Sequence, residues 1–356
     1  MKFLPKLLTQ ANLPNYTYLL LLYVFGPNGV SMFLRLLAAT ALFLATSMVP
    51  GAVQAQEAST IRPLAPGVLT VIPTATEEGE TFNGPLPLVE VVTGIPDLDW
   101  TPNYTPKTNT LQEIAKQVVL RRTIWDLEFA FKPLRMIEVD VPQPTGNMQR
   151  KLIWYMVYRV SNRGLALNPT ESVDSFGHRT YTIEKVNYPT RRFFPHFVLE
   201  SREYQKSYLD RIIPAAQLAI QKREDPGTKL LNSIEMTRVQ IPLSDERIER
   251  GIWGVVTWED IDPRLDFFSV YIRGLTNAFE FVDPPGAYRA GQPPGSGRVY
   301  NYKTLQLNFW RPGDSVLEHE REVRYGVPVD SDPVLQAHIL DAFGLPERLD
   351  HLWIYR

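Results

Sequence analysis

The stretch Ile124-Trp125-Asp126-Leu127-Glu128-Phe129-Ala130-Phe131 opens the part of the chain that decides the fold, because polar and apolar side chains alternate along it. Met136–Val141 alternates in the same way, and Leu152–Val160, with the sequence LIWYMVYRV, is a longer run of aromatic and β-branched residues. Both features are typical of β-strands. Three strands in succession, joined by turns that contain Pro and Gly, predict an antiparallel sheet.

The segment Leu152–Val160 is apolar on both of its faces. Successive side chains of a strand point to opposite sides, so Ile153, Tyr155 and Val157 share the face that Trp154 and Met156 do not. A strand with two apolar faces is covered on both sides, and we therefore expect it to be central. The run that ends in Val160-Ser161-Asn162 and closes at Gly164 resembles a recurrent strand of immunoglobulin-like sandwiches.

Further secondary structure is predicted along the rest of the chain. The predicted strands are Arg179–Val186, His196–Arg202, Ile234–Ile241, Trp253–Trp258, Phe267–Arg273, Thr304–Trp310 and His351–Tyr355. The predicted helices are Thr110–Val119, Pro214–Arg223 and Pro333–Phe343, the last with Asp332 as its cap and Gly344 as its stop. Pro284–Gly297 is so rich in Pro and Gly that it predicts a long exposed loop.

The N-terminal residues have the pattern of an export signal. Arg35 precedes the apolar stretch Leu36–Met48, and Val53 and Ala55 are the small residues that a signal peptidase reads. The stretch is shorter than the about 20 residues that span a bilayer, which favours cleavage after Ala55 over a membrane anchor. Residues 1–31 contain a second apolar run, and we interpret Met32 as the true start. The alternative is a protein anchored in the membrane through residues 16–49.

These patterns divide the chain into five parts. They are residues 1–31, an extra apolar segment before the expected start; 32–55, the signal peptide; 56–108, an extended Pro-rich arm; 109–330, a sandwich body with an insertion near 165–230; and 331–356, a C-terminal helix and tail. The predicted fold is mostly β: an antiparallel immunoglobulin-like β-sandwich with an extended Pro-rich N-terminal arm, a small α/β insertion and a C-terminal helix. Within the arm, Val68–Ile72 and Leu88–Val92 are expected to lie on the body as edge strands.

Composition excludes several classes of function. The formal net charge of the chain is −2 and no basic face is evident, which argues against nucleic acid as a partner. The chain has no cysteine, so it has no disulfides, thiol nucleophiles, thiolate metal sites or lipoprotein anchor.

Three blocks of the sequence resemble a family of uncharacterised exported bacterial proteins with no assigned activity. The blocks are Met148–Lys151 with Trp154–Val160, Trp258–Arg264 with Phe267-Phe268, and Lys303–Asp314. The similarity spans roughly residues 60–326. Because the family has no assigned activity, the resemblance implies only export and a shared fold.

Four carboxylates that follow Trp258 are the candidate catalytic residues: Glu259, Asp260, Asp262 and Asp266. Paired carboxylates can supply the acid and base of a glycosidase, and oxygen ligands can hold calcium. The calcium-loop pattern is incomplete, because Arg264 stands where a ligand should be and the tight turn has no Gly. The alternative, which we favour, is a turn that begins at Asp262-Pro263 and carries solvated carboxylates.

Other catalytic and metal-binding motifs are missing from the sequence. None of the five histidines has the spacing of a zinc site, and in Glu318-His319-Glu320 a strand would place neighbours on opposite faces. There is no Gly-x-Ser-x-Gly elbow and no glycine loop for phosphate. We therefore predict no metal and no cofactor.

Aromatic residues are the remaining candidates for binding. Trp258 and Trp310 are the candidate ligand-binding residues, since exposed aromatics on an exported sandwich can stack on sugars or anchor a protein partner. Core packing is the alternative, and it is the one we favour. The sequence thus predicts an extracytoplasmic (periplasmic or secreted) protein of the cell envelope with a structural or binding role, and with an envelope protein or a glycan as partner. The alternative function is a glycan-acting enzyme that uses the carboxylates.

Overall fold

The computed structural model describes residues 68–93, 111, 113–224, 226–245, 247–312 and 322–356, which all belong to one compact unit, Arg62–Arg356. The predicted signal peptide, the residues before it and Glu318-His319-Glu320 lie outside the described residues. Strands dominate the described chain, and every pair of neighbouring strands in its sheets is antiparallel. The prediction of a mostly β, antiparallel fold is confirmed.

The secondary-structure elements are numbered in chain order. The strands are β1 (Thr70–Ile72), β2 (Phe82–Leu86), β3 (Val118–Arg121), β4 (Glu128–Phe131), β5 (Arg135–Pro142), β6 (Met148–Ser161), β7 (Ala166–Val173), β8 (Arg179–Val186), β9 (Thr190–Arg191), β10 (His196–Ser201), β11 (Lys206–Leu209), β12 (Ile241–Pro242), β13 (Ile252–Trp258), β14 (Phe267–Arg273), β15 (Phe279–Val282), β16 (Val299–Trp310), β17 (Arg324–Tyr325) and β18 (His351–Tyr355). The helices are a 3₁₀ turn (Glu78–Thr81), α1 (Val89–Val92), α2 (Pro214–Glu224), α3 (Ser233–Arg238) and α4 (Pro333–Phe343).

The first sheet is built around β6. β13 pairs along one edge of β6, while β4 and β5 pair one after the other along its second edge, with β1 outside β4. The register passes from Phe131 opposite Tyr158 to Arg135 opposite Tyr155, so β4 and β5 are one strand interrupted by a one-residue bulge. The predicted antiparallel sheet around Leu152–Val160 is confirmed, but the first two predicted strands follow one another along the same edge of β6 and do not pair with each other.

The second sheet is built around β16. β14 and β15 lie along one edge of β16, β17 and β18 lie along the other, and β10 and β11 continue the sheet beyond β14. The interpretation of residues 165–230 as an insertion is wrong for β10 and β11, because Phe197 and Leu199 are fully buried in the main core. Within that region the β7–β8 hairpin forms a separate two-stranded sheet, and β9 forms another with β12.

The inner faces of the two sheets share one aromatic core. Trp154 of the first sheet meets Phe268 of the second with ring centroids 5.3 Å apart, and Tyr158 meets Phe197 at 5.0 Å. A helix packs on each outer face: Ile220 of α2 lies in a cluster with Tyr155 and Val157 of the first sheet, and α4 packs on the second. β6 is thus covered on both sides, as its two apolar faces predict.

The C-terminal end of α2 is held to the first sheet by charge. The Glu224 carboxylate, which is almost fully buried, accepts hydrogen bonds from Lys132 Nζ at 3.1 Å, Arg135 Nη1 at 2.9 Å and the Tyr155 hydroxyl at 2.7 Å. A buried carboxylate with three donors is satisfied, so this contact fixes the helix on the sheet.

Three predicted elements are wrong. Leu88–Val92 contains a single helical turn, α1, and no strand. The helix predicted over Thr110–Val119 ends early, because β3 begins at Val118 and pairs with β2. The strand predicted at Ile234–Ile241 is mostly the helix α3, whose start is fixed by a capping box in which the Asn232 side chain accepts from Glu235 N at 2.9 Å and the Glu235 side chain accepts from Asn232 N at 3.1 Å.

The C-terminal helix lies where the sequence predicts it. Asp332 caps α4 by accepting a hydrogen bond from Val334 N at 2.8 Å, and Gly344 ends it in the left-handed conformation, with φ of 71°. No helix in the described ranges has both the length and the hydropathy needed to cross a membrane.

Candidate functional site

The four candidate carboxylates lie in the loop between β13 and β14, and three of them form ion pairs with basic side chains. The Glu259 side chain is almost fully buried and pairs with Arg211 and with Lys151 Nζ at 3.2 Å. Asp260 is exposed, has a left-handed φ of 56°, and pairs with the same Lys151 at 3.0 Å. The loop therefore brings Glu259 and Asp260 together around one ammonium group.

Asp262 is held by two further cations. Its carboxylate pairs with Lys206 and with Arg264 Nη2 at 2.9 Å, and it also accepts from the Arg264 backbone N–H at 3.0 Å. These hydrogen bonds, from Arg264 first and Lys206 second, hold the pKa of Asp262 well below its usual range. Burial raises the pKa of Asp266, the fourth carboxylate. A carboxyl with so low a pKa does not serve as a general acid, and Asp262 instead fixes its own turn.

The described residues include no group of three or more His, Asp or Glu side chains placed to hold a metal ion. In the carboxylate loop, the Glu259 and Asp262 carboxylates form ion pairs with ammonium and guanidinium groups.

The two candidate tryptophans have little free surface. Trp258 is fully buried in the core between the sheets. Trp310 is partly buried against the cluster under α4, and the Arg324 guanidinium lies 5.1 Å from its ring centroid. Neither indole offers an open face, so we do not include them in the site below.

Exposed aromatic rings lie elsewhere, at the end of the second sheet where β15 pairs with the start of β16. Phe279 stands opposite Tyr302 and Phe281 stands opposite Tyr300, so the four rings share one face of the sheet. We call this set the aromatic ladder. Its neighbouring ring centroids are 5.6 to 6.4 Å apart, and Tyr300 and Tyr302 are 42 % and 40 % exposed.

Three arginines lie against the ladder. The Arg122 guanidinium carbon is 3.9 Å from the Phe279 ring centroid, that of Arg298 is 4.3 Å from Phe281, and that of Arg273 is 5.0 Å from Tyr302. Arg298 is itself fixed by Asp283, at 2.7 Å, and by Glu90 of α1, at 3.3 Å. These cation–π contacts make the ladder a rigid surface with positive charge at its rings.

A cavity of about 360 Å³ lies beside the ladder, between β2 and β15, and we call it the β2–β15 cavity. It is lined by Glu77, Gly79, Glu80, Phe82, Asn83, Gly84, Leu86, Arg122, Glu280, Phe281, Val282 and Tyr355. Apolar side chains and carboxylates thus both line the cavity. A space of this size and mixed chemistry suits a short segment of a ligand.

Buried charged groups support the cavity. Glu80 accepts a hydrogen bond from the Tyr355 hydroxyl at 2.6 Å and pairs with Lys303, and both members of that ion pair are buried. Burial and donation to Glu80 raise the pKa of Tyr355, so this hydroxyl stays protonated. Arg122 donates to the backbone carbonyls of Glu80, at 3.1 Å, and of Phe279. The described residues place no carboxylate within ion-pair distance of Arg122.

Sequence reasoning missed these residues. β15 was not predicted, and β16 was predicted to begin only at Thr304, after both ladder tyrosines. The available signal was short: aromatic residues alternate with one polar residue in Phe279-Glu280-Phe281 and in Tyr300-Asn301-Tyr302. Two such triplets on either side of a Pro- and Gly-rich loop are the pattern of a hairpin with aromatic cross-strand pairs.

Comparisons of this chain with protein-family models, with curated proteins and with solved structures found no match.

Proposed function

We propose that this chain is an exported, non-catalytic binding protein of the cell envelope, and that the aromatic ladder is its surface for a protein partner. Export rests on the tripartite pattern of residues 32–55 and on the resemblance of the three sequence blocks to exported bacterial proteins. The single observation that carries the binding role is the set of four aromatic rings, partly exposed and fixed by arginines, at the end of the second sheet.

The order of the strands supports an immunoglobulin-like sandwich, a fold widely used for binding. The first sheet runs β4/β5–β6–β13 and the second runs β11–β10–β14–β16. In chain order the strands divide between the sheets as A, B and E on one side and C, C′, F and G on the other do in immunoglobulin domains. The fold by itself does not fix an activity, so the function rests on the surface.

The chemistry of the ladder favours a protein over a glycan. Sugar recognition by stacking needs an open ring face, but guanidinium groups of this chain already lie over Phe279, Phe281 and Tyr302. Tyrosine and arginine together are the residues that dominate the energetics of protein–protein interfaces. They also lose little side-chain freedom on binding here, because the contacts among them hold them in place.

The glycan-acting enzyme has less support. A glycosidase needs one carboxyl protonated and a second ionised nearby. Glu259 and Asp262 are instead paired with cations, and the pKa of Asp262 is lowered. Their arrangement fits a turn fixed by ion pairs.

Co-sedimentation of the purified protein with envelope fractions of the producing organism tests the proposal. We expect the double variant Tyr300→Ser/Tyr302→Ser to bind about tenfold more weakly or worse, because central aromatic residues carry most of the binding energy at an interface. Phe176→Ser is the matched control, since this ring lies in the β7–β8 turn and is 85 % exposed. It should bind like the parent protein.

Digestion of the envelope fraction with a protease identifies the class of partner. A protein partner predicts that digestion removes the binding. Binding that survives digestion would point to a glycan and overturn the protein partner. Equal binding by the parent protein and the Tyr300/Tyr302 variant would show that the ladder is not the binding surface.

A further inference from the structure

One edge of the strand β15 is covered by no other strand in the described part of the chain. The strand pairs with β16 alone among the described strands. The Lys303 N–H donates to the Ala278 carbonyl at 3.0 Å, which shows which residues of β15 direct their backbone groups towards β16. Because alternate residues of an antiparallel strand direct their backbone groups to opposite edges, those of Phe279 and Phe281 point away from β16.

The position of Arg122 agrees with this orientation of the Phe279 and Phe281 backbone groups. Its Nη2 donates to the Phe279 carbonyl, and Arg122 also lines the β2–β15 cavity. The free edge of β15 therefore faces the cavity. The backbone N–H and C=O of Phe281, the next pair of groups on this edge, lie beyond the reach of any described strand.

The strand β2, on the opposite side of the cavity, also has an edge that points away from its partner β3. The Arg122 N–H donates to the Thr81 carbonyl at 2.8 Å, so in the β2–β3 pair the backbone groups of Phe82 point away from β3. Phe82 and Phe281 both line the cavity. Two strand edges, whose outward backbone groups pair with no strand that the structure describes, thus lie on either side of the cavity.

The charge of the cavity defines what fits there. Three carboxylates line it, those of Glu77, Glu80 and Glu280, and only Glu80 has ion-pair partners within the described part of the chain. After Arg122 and Lys303 are counted against the three carboxylates, one negative charge remains. A ligand with one basic group would neutralise it.

We propose that an extended peptide segment binds in the β2–β15 cavity as an added strand on the free edge of β15, with a basic side chain directed towards Glu77 and Glu280. Strand addition supplies backbone hydrogen bonds for affinity, and pockets for side chains supply specificity. The apolar side chains of Phe82, Leu86 and Val282 would pack against the residues on either side of the basic one. This inference rests on the proposed function and names the chemistry of the partner segment.

The test uses fluorescein-labelled nonapeptides of alternating Thr and Val, with blocked ends and with Lys, Glu or Gln at the centre. Fluorescence anisotropy on the full chain measures their Kd. We expect the Lys peptide to bind about tenfold more tightly than the Glu peptide, through charge complementarity. Equal binding of the Lys and Glu peptides, or binding of none of them at millimolar concentration, would overturn the proposal.

A pair of variants isolates the backbone edge. Phe281→Pro removes both the ring and the N–H that points to the free edge, whereas Phe281→Ala removes the ring alone. Proline is tolerated on an edge strand when its missing N–H faces outward. We expect the Pro variant to bind the Lys peptide about tenfold more weakly than the Ala variant, which corresponds to one backbone hydrogen bond. Equal affinities would exclude strand addition.

A second pair isolates the charge and leaves the backbone N–H groups of β15 in place. Glu280→Lys should reduce binding of the Lys peptide and improve binding of the Glu peptide, while Glu78→Lys, at an exposed residue outside the cavity lining, should change neither.

A concentration-dependent dimer that Phe281→Pro abolishes would show that a second copy of this chain binds the free edge of β15, and would overturn the proposal of a peptide ligand. If the peptides fail but Tyr300→Ser/Tyr302→Ser still weakens envelope binding, the proposed function stands without this inference.

Discussion

An aspartate at position 156 or 157 should prevent folding, because these neighbouring residues of β6 lie in two different cores. Met156 has no exposed surface and lies between the two sheets, while Val157 is 1 % exposed and lies under α2. An unpaired carboxylate in either place costs several kcal/mol, against a total stability of roughly 5–15 kcal/mol. Either Met156→Asp or Val157→Asp therefore consumes most or all of the stability.

Alanine at the same two positions should lower the free energy of unfolding by a measurable amount, because it also removes buried apolar surface. Met156→Ala should cost about 2–5 kcal/mol and Val157→Ala about 2 kcal/mol, from lost burial and the cavity left behind. For a chain of this size each kcal/mol lowers Tm by about 2–4 °C. Thermal unfolding followed by far-UV circular dichroism measures both variants.

The edge strand β1 provides the control. Val71 on β1 is 48 % exposed, so Val71→Asp, the same exchange as at Val157, should stay within about 0.5 kcal/mol of the parent protein. The reasoning is refuted if either Met156→Asp or Val157→Asp melts like the parent protein, since one face of β6 would then be open to water.

Three further outcomes are expected. Burial opposes ionisation of Glu224, but hydrogen bonds from Tyr155 and Lys132 lower its pKa below the ordinary value of a glutamate. The ionised Glu224 therefore contributes fully to stability at a pH above that ordinary pKa. This contribution is lost as the pH falls through the lowered pKa. Glu224→Gln should cost about 3–5 kcal/mol at neutral pH and flatten the acid side of the Tm-against-pH curve; an unchanged curve would contradict this. N-terminal sequencing of the exported protein should begin at Gln56, and a chain that retains residues 1–31 would contradict the signal peptide. Dithiothreitol should leave Tm unchanged because the chain has no cysteine, and a shift of several degrees would speak against that reasoning.

The central strand and the sheet around it could be predicted because their signal is local. Leu152–Val160 has two apolar faces, and only a position between two covering layers satisfies both of them. The sequence did not reveal what the layers are. Ile220 on α2 and Phe197 on β10 cover opposite faces of β6, yet both lie in the region interpreted as an insertion, because neither segment has a long regular pattern of its own.

The errors in secondary structure have local causes as well. Ile234–Ile241 has β-branched and apolar residues at positions that suit a strand, but Asn232 and Glu235 have the spacing of a capping box, and the cap decides in favour of α3. β-branched residues have only a modest preference for strands, so one well-formed cap outweighs them over six residues.

The proposed binding site could not be predicted in the same way, because its parts come together only through long-range pairing. The β2–β15 cavity is formed by residues from the arm, from β15 and from β18, and Glu80 of the arm neutralises the buried Lys303 of β16. A buried ammonium without this partner would cost several kcal/mol, so the arm cannot leave the body without penalty. Residues 68–93 of the predicted Pro-rich arm are thus part of the folded body, and the ion pair that holds them there also supports the cavity. Binding at the cavity and docking of the arm are therefore coupled, since whatever stabilises one stabilises the other.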